Sequence, residues 1–302
     1  MENSNLKNKL KLWLLSHPEL NPYRFSLKKS YQTLTSNLRV LPNFIIIGAG
    51  RAGTTSLYNY LIQHPSIFPA STKNNENIAD LHFFEHMISD KTSWYKSHFP
   101  TIFTKKLFES KTKKKFLTGE YTSTYMYNNN VPKRIFELIP NVKLIVILRN
   151  PVEKVYSTYS QQFAFHEYTT SFEKTIKSEL KRIELLKKYP ELNTKDPDFA
   201  NHVMHNLIRH GIYFDYLKHW FEIFPKKQFF IVDSEKLKNT TQETLDQVFK
   251  FLDLQPFQIP NLSKINVGQY SAMDNSSKKL LTDFYTPHNL KLYDLLGKTF
   301  SW

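Results

Sequence analysis

Apolar side chains follow two rhythms along this chain. Four short runs, Phe44 to Ile47, Phe116 to Gly119, Val142 to Leu148 and Phe229 to Val232, are apolar at most positions and rich in β-branched residues. Strands buried on both faces of a parallel sheet read this way, because neither face meets water. Between the runs, apolar positions recur at helical spacing: Leu57, Tyr58, Tyr60 and Leu61, then Ile135, Leu138 and Ile139 after Pro132, then Leu217, Trp220 and Phe221 after Tyr213, then Leu245, Val248, Phe249 and Leu252. Strands alternating with helices predict an α/β fold in three layers, with a central parallel sheet covered on both sides. The charged stretch from Ser171 to His219 reads as helical with an interruption around Tyr189 to Pro197, and a last amphipathic helix begins near Ser276. Ahead of the first strand, Leu6, Leu10, Trp13 and Leu14 predict one or two amphipathic helices. The expected organisation is an N-terminal helical extension over 1–40 and a single domain over 41–302.

Composition narrows the possible chemistry. The 302 residues include no cysteine, which excludes disulfides, thiolate metal sites and cysteine nucleophiles and fits a reducing compartment. The apolar cluster Leu12 to Leu15 is too short for a signal-peptide core or a membrane span, so the expectation is a soluble, cytoplasmic protein. A formal net charge of +14 favours an anionic partner such as a nucleotide or an acidic glycan. Lys105, Lys106, Lys111, Lys113, Lys114 and Lys115 form the densest basic block, and Lys111 to Lys115 read as a solvated loop. No nucleic-acid-binding signature accompanies the charge, so no nucleic-acid partner is expected.

Candidate chemistry collects where the strands end. After the first strand, Gly48, Gly50 and Gly53 alternate with Ala49, Arg51 and Ala52 before Thr54, Thr55 and Ser56 open a helix. Unpaired amides at a helix start, the positive end of its dipole and the charge of Arg51 make an anion cradle. Thr54 stands where an NTPase phosphate loop carries lysine, which counts against transfer of a terminal phosphoryl group with magnesium. After the third strand, Arg149 and a proline-started helix bearing Ser157 offer a forked donor and a hydroxyl to a second phosphate. In Asp80-Leu81-His82-Phe83-Phe84-Glu85, read as a short surface strand, Asp80 and His82 share one side at period two and are candidates for proton transfer. Glu120, Tyr121 and Tyr125 follow the second strand at the sheet edge where ligands gather. With His166 and Tyr213, they are candidate acceptor contacts or else packed structural residues.

The segments FIIIGAGRAGTTSLYNYLIQHP, ADLHFFE and LIVILRNPVEKVYSTY, with the tail NVGQY and FYTPHNLKLYDLLGKTFSW, together resemble the sulfotransferases that use 3'-phosphoadenosine 5'-phosphosulfate (PAPS). Within that family the chain is similar to the branch of heparan sulfate sulfotransferases and their bacterial relatives. The resemblance implies a P-loop-like sulfotransferase fold and direct in-line transfer to a hydroxyl or amine of a carbohydrate or small molecule, with no metal required. It assigns Gly50, Arg51, Ala52, Gly53, Thr54, Thr55 and Ser56 to the 5'-phosphosulfate. Arg149 and Ser157 take the 3'-phosphate, and Asn266, Val267, Gly268, Gln269 and Tyr270 form a loop over the nucleotide. Asp80 matches the family's glutamate base and His82 a neighbouring histidine, so either is the base. Arg51 stands where lysine is usual and would steady the leaving oxygen with Thr54 and Thr55; its planar fork differs from a compact ammonium. Two other functions fit parts of the pattern: a P-loop kinase for small molecules, and a non-catalytic polyanion-binding protein.

Overall fold

The computed structural model describes residues 31–70, 80–86, 92–164, 170–188, 206–263 and 271–302. Its strands are β1 (Phe44–Gly48), β2 (Ile67–Pro69), β3 (Leu117–Tyr121), β4 (Lys143–Leu148) and β5 (Phe229–Asp233). They form one parallel sheet in the order β2-β3-β1-β4-β5. The helices are α1 (Thr54–Leu61), α2 (Thr92–Ser97), α3 (Ile102–Thr112), α4 (Val131–Leu138), α5 (Pro151–Ala164), α6 (Phe172–Lys188), α7 (Tyr213–Ile223), α8 (Ser234–Asn239), α9 (Thr241–Phe251) and α10 (Asn275–Leu296). Every residue of β1 and β3, and all of β4 after Lys143, is buried. That burial on both faces is why these strands read as unbroken apolar runs and why the expected three-layer α/β fold holds.

Close packing sets the register of the central strands. Phe44 pairs with Gly119, and a Cβ added at Gly119 would stand 2.5 Å from the Phe44 ring. Gly119→Ala is therefore expected to destabilise the fold by about 1–3 kcal/mol through overpacking. Urea unfolding checks this, and an unchanged midpoint would mean that the ring has room to move. A second apolar cluster joins Val152, Val155 and Tyr159 of α5 to Phe172, Ile176 and Ile183 of α6 and Leu281 and Tyr285 of α10. It seats the helix that carries Ser157 against the rest of the chain.

Several local expectations change. The short edge strand β2 and the helices α2 and α3 carry no readable pattern; α3 buries none of its residues, so no apolar stripe marks it. Lys111 lies in the last turn of α3 and Lys113 is its left-handed C-cap, so the basic loop begins later than Lys111. Asp80 to Glu85 is not a strand. It is irregular backbone in which His82 takes φ 51°. Of the N-terminal extension, residues 1–30 lie outside the described residues, while Arg39 bridges to Thr101.

Candidate active site

The phosphate loop is shaped by positive backbone angles. Arg51 has φ 64° and Gly53 φ 108°, which puts Gly53 in the left-handed region that glycine adopts without steric cost. Gly53 is the N-cap of α1 and no side chain caps that helix, so its first amides point along the axis into the loop. Ala52 and Thr54 are buried, whereas Gly50, Arg51, Gly53, Thr55 and Ser56 keep partial exposure. Ala52 thus has only its backbone to offer a ligand.

The loop and the end of β4 meet directly. Arg149 Nη1 donates to the Arg51 carbonyl at 3.1 Å, and Arg51 Nε donates to Ser157 Oγ at 3.4 Å across 106 positions of sequence. The two basic side chains expected at opposite ends of a nucleotide, and the hydroxyl expected with one of them, therefore form a single cluster. Arg51 reaches toward Ser157 rather than standing apart from it. Tyr213 supports this cluster from below: its side chain is buried and its hydroxyl donates to the Arg149 carbonyl at 2.9 Å.

Lys154 belongs to the same helix face as Ser157, three residues earlier, yet sequence inspection passed over it. It is buried and lies 5.4 Å from the Tyr127 ring centre. Burial lowers it to about 7, with Glu179 opposing and Arg149 reinforcing the shift. Its i, i+3 spacing to Ser157 was the available signal.

The acid and histidine segment contains a second surprise. His82 Nε2 lies 3.2 Å from Asp80 Oδ1, and His82 Nδ1 lies 2.6 Å from Glu85 Oε2. Hydrogen bonds to Asp80 and then Glu85 outweigh burial and raise His82 to about 10. The ring is an imidazolium at neutral pH and has no lone pair free for a proton. Burial pushes Glu85 up, but hydrogen bonds from His82 and Thr124 hold it below its usual value. Glu85 was not singled out from the sequence, because its link to His82 depends on the left-handed turn.

The acceptor candidates turn inward. Glu120, Tyr121, Tyr125 and Tyr213 are all buried, which fits the packed structural reading of each. Glu120 in particular is enclosed by hydroxyl groups, which let a carboxyl sit in the core. Tyr121 directs its hydroxyl at the Thr55 side chain and feels the charge of Asp80, so the phosphate loop and the acid segment adjoin. His166 and the loop Asn266 to Tyr270 lie outside the described residues.

Comparison with known proteins places the fold and the family. The profile of the family described as "Sulfotransferase domain" matches residues 41–283. A membrane-associated sulfotransferase, kil1, from Dictyostelium discoideum is 26% identical over 88% of this chain and 67% of its own length. A bifunctional heparan sulfate N-deacetylase/N-sulfotransferase from Drosophila melanogaster is 27% identical over 89% of this chain, which spans 27% of that protein. The crystal structure of a sulfotransferase from Alicyclobacillus acidocaldarius has the same fold, with a TM-score of 0.62 at 22% identity over 87% of this chain and 98% of its own. With the profile matched from the first strand into the last helix, this chain belongs to the sulfotransferase family, whose members move a sulfuryl group from PAPS to an acceptor.

Proposed function

We propose that the Arg51, Arg149 and Ser157 cluster holds the two phosphate ends of PAPS and that Asp80 is the base which activates the acceptor. The observation that carries this reading is the contact of Arg51 with both Arg149 and Ser157 at the uncapped start of α1. The donor set suits the group: two guanidinium forks, a hydroxyl and a row of helix-start amides match a ligand with two separate anionic ends. When bound, PAPS supplies an activated sulfuryl group attached to a 5'-phosphate. The loop amides, Arg51, Thr54 and Thr55 face the charge that develops on that phosphate, and preorganised donors of this kind lower the barrier. Asp80, with its side chain one-third exposed, takes the proton of the acceptor, and cationic His82, 3.2 Å away, keeps that carboxylate oriented.

This division of labour sets the pH dependence. His82 carries its proton up to about 10, so kcat/KM should show no step from this ring near pH 6.5, and the loss of activity that this ring causes should come only as pH approaches 10 and the imidazolium is lost. A pH–rate profile checks this, and an acidic limb between about pH 6 and 7 that disappears in His82→Ala would reverse the assignment.

The acceptor we favour is a hydroxyl or amine on an acidic carbohydrate, supported by the net charge of +14 and by relatives named for heparan sulfate. A small molecule is the alternative outcome. Transfer of radiolabelled sulfuryl groups to desulfated heparin and to a panel of amino sugars and phenols separates the two. Thermal shift tests the donor: 3',5'-bisphosphoadenosine (PAP) should stabilise the chain in EDTA. Stabilisation by magnesium ATP alone would support a kinase instead. We further propose that the enzyme acts in the cytoplasm. The lack of cysteine in the sequence, which suits a reducing compartment, supports this, and cell fractionation tests the assignment.

A further inference from the structure

Glu120 is 0% exposed and its carboxyl faces three hydroxyl groups. Tyr95 donates to Oε1 at 2.7 Å, Thr122 donates to Oε2 at 3.0 Å, and Tyr125 reaches Oε1 at 3.5 Å. Two of these hydroxyls also grip the acid segment. Thr122 Oγ1 accepts the backbone amides of Leu81 and His82 at 3.2 and 3.3 Å, and Tyr125 Oη accepts that of Phe84 at 3.3 Å. A threonine hydroxyl has two lone pairs and one proton. Both lone pairs of Thr122 are taken by amides, so its proton needs an acceptor, and Glu120 is that acceptor. Thr122 is itself tied to β1, its amide donating to the Ile46 carbonyl at 3.0 Å.

Among the described residues the gripped segment pairs with no strand. Its amides go to these hydroxyls, and Arg134 Nη1 takes the carbonyls of Phe84 and Glu85 at 2.7 and 2.9 Å. The left-handed turn at His82, which brings both Asp80 and Glu85 onto one ring, therefore depends on hydroxyls that a single buried carboxyl orients.

We infer that Glu120 is a positioning residue for sulfuryl transfer, acting through Thr122 and Tyr125 to hold Asp80 and His82 in their working geometry. This rests on the reading of Asp80 as the base. Burial pushes the Glu120 carboxyl up to about 8, against the pull of the Tyr95 and Thr122 hydroxyls. A glutamine, which resembles the protonated acid, therefore keeps the acceptor that Thr122 needs.

The test pairs Thr122→Val and Glu120→Leu with the conservative variants Thr122→Ser and Glu120→Gln. Three quantities are measured: kcat, PAP affinity, and the titration of the His82 ring by NMR in nucleotide-free protein. In Thr122→Val and Glu120→Leu, kcat should fall about tenfold to a hundredfold, the scale expected when catalytic groups shift by an ångström. PAP affinity should stay within about threefold, since the phosphate loop is untouched. The His82 titration should move down from about 10 toward its ordinary value as Asp80 and Glu85 drift from the ring. The conservative variants should restore all three. Thr122→Val preserves volume and decides the matter if Glu120→Leu does not fold. Wild-type turnover with an unchanged His82 titration in Thr122→Val overturns the proposal, as does a parallel loss of PAP affinity and kcat. Failure of the base assignment is separate: it would appear as wild-type turnover in Asp80→Asn, while the His82 titration still reports whether Thr122 and Glu120 set the turn.

Discussion

Replacing Arg149 by alanine is expected to lower PAP affinity by roughly 10²–10⁴-fold, because two charge-assisted hydrogen bonds to a phosphate are worth about 1.5–3 kcal/mol each. The fold should tolerate the change. The Arg149 side chain is 23% exposed and its ion pair with Glu153 spans 3.9 Å, a partly solvated contact of small value. Among the contacts the variant loses inside the protein is the hydrogen bond to the Arg51 carbonyl, so the loop relaxes locally. Titration calorimetry with PAP and with adenosine 5'-phosphosulfate separates the effects. The second ligand lacks the 3'-phosphate, so its binding should be nearly the same in wild type and variant. Wild-type affinity for PAP in Arg149→Ala would remove this residue from the nucleotide site. Equal losses for both ligands would mean that Arg149 acts by shaping the loop.

Asp80→Asn should do the opposite. Nucleotide affinity stays near wild type, since Asp80 lies on the acid segment and not on the loop, while turnover falls by about 10²-fold or more as the proton acceptor disappears. His82 keeps Glu85 at 2.6 Å in that variant, so the ring remains anchored and the loss reads on the base itself. Single-turnover kinetics at saturating PAPS check this. Full turnover in Asp80→Asn together with an inactive His82→Ala would transfer the role to the histidine.

The cluster of Arg51, Arg149 and Ser157 at the strand ends was legible because it obeys local rules. Glycines following a buried strand and preceding a helix make an anion cradle wherever they occur, and an arginine directly after β4 stands at the same sheet edge whatever surrounds it. The acid half was less legible. Asp80 and His82 were identified as a pair, but on a strand that does not form; they meet instead across a left-handed turn. Glu120 and Tyr125 looked like acceptor contacts because polar residues at a strand end usually face a ligand. They are buried, and their partners Tyr95 and Phe84 lie 25 and 41 positions away, beyond the reach of any periodicity.

What this chain determined by sequence alone is the four inner and far strands β1, β3, β4 and β5 of its sheet, its glycine loop and the basic groups beside it, since solvent imposes burial patterns on each strand and helix separately and glycine geometry is a property of the backbone. What only the tertiary structure decided is protonation and grip: that His82 is a cation held by Asp80 and Glu85, and that Glu120 serves the interior. The charge state of a side chain depends on which groups stand within about 3 Å of it. In this protein those groups arrive from strands, helices and turns that sequence order keeps apart.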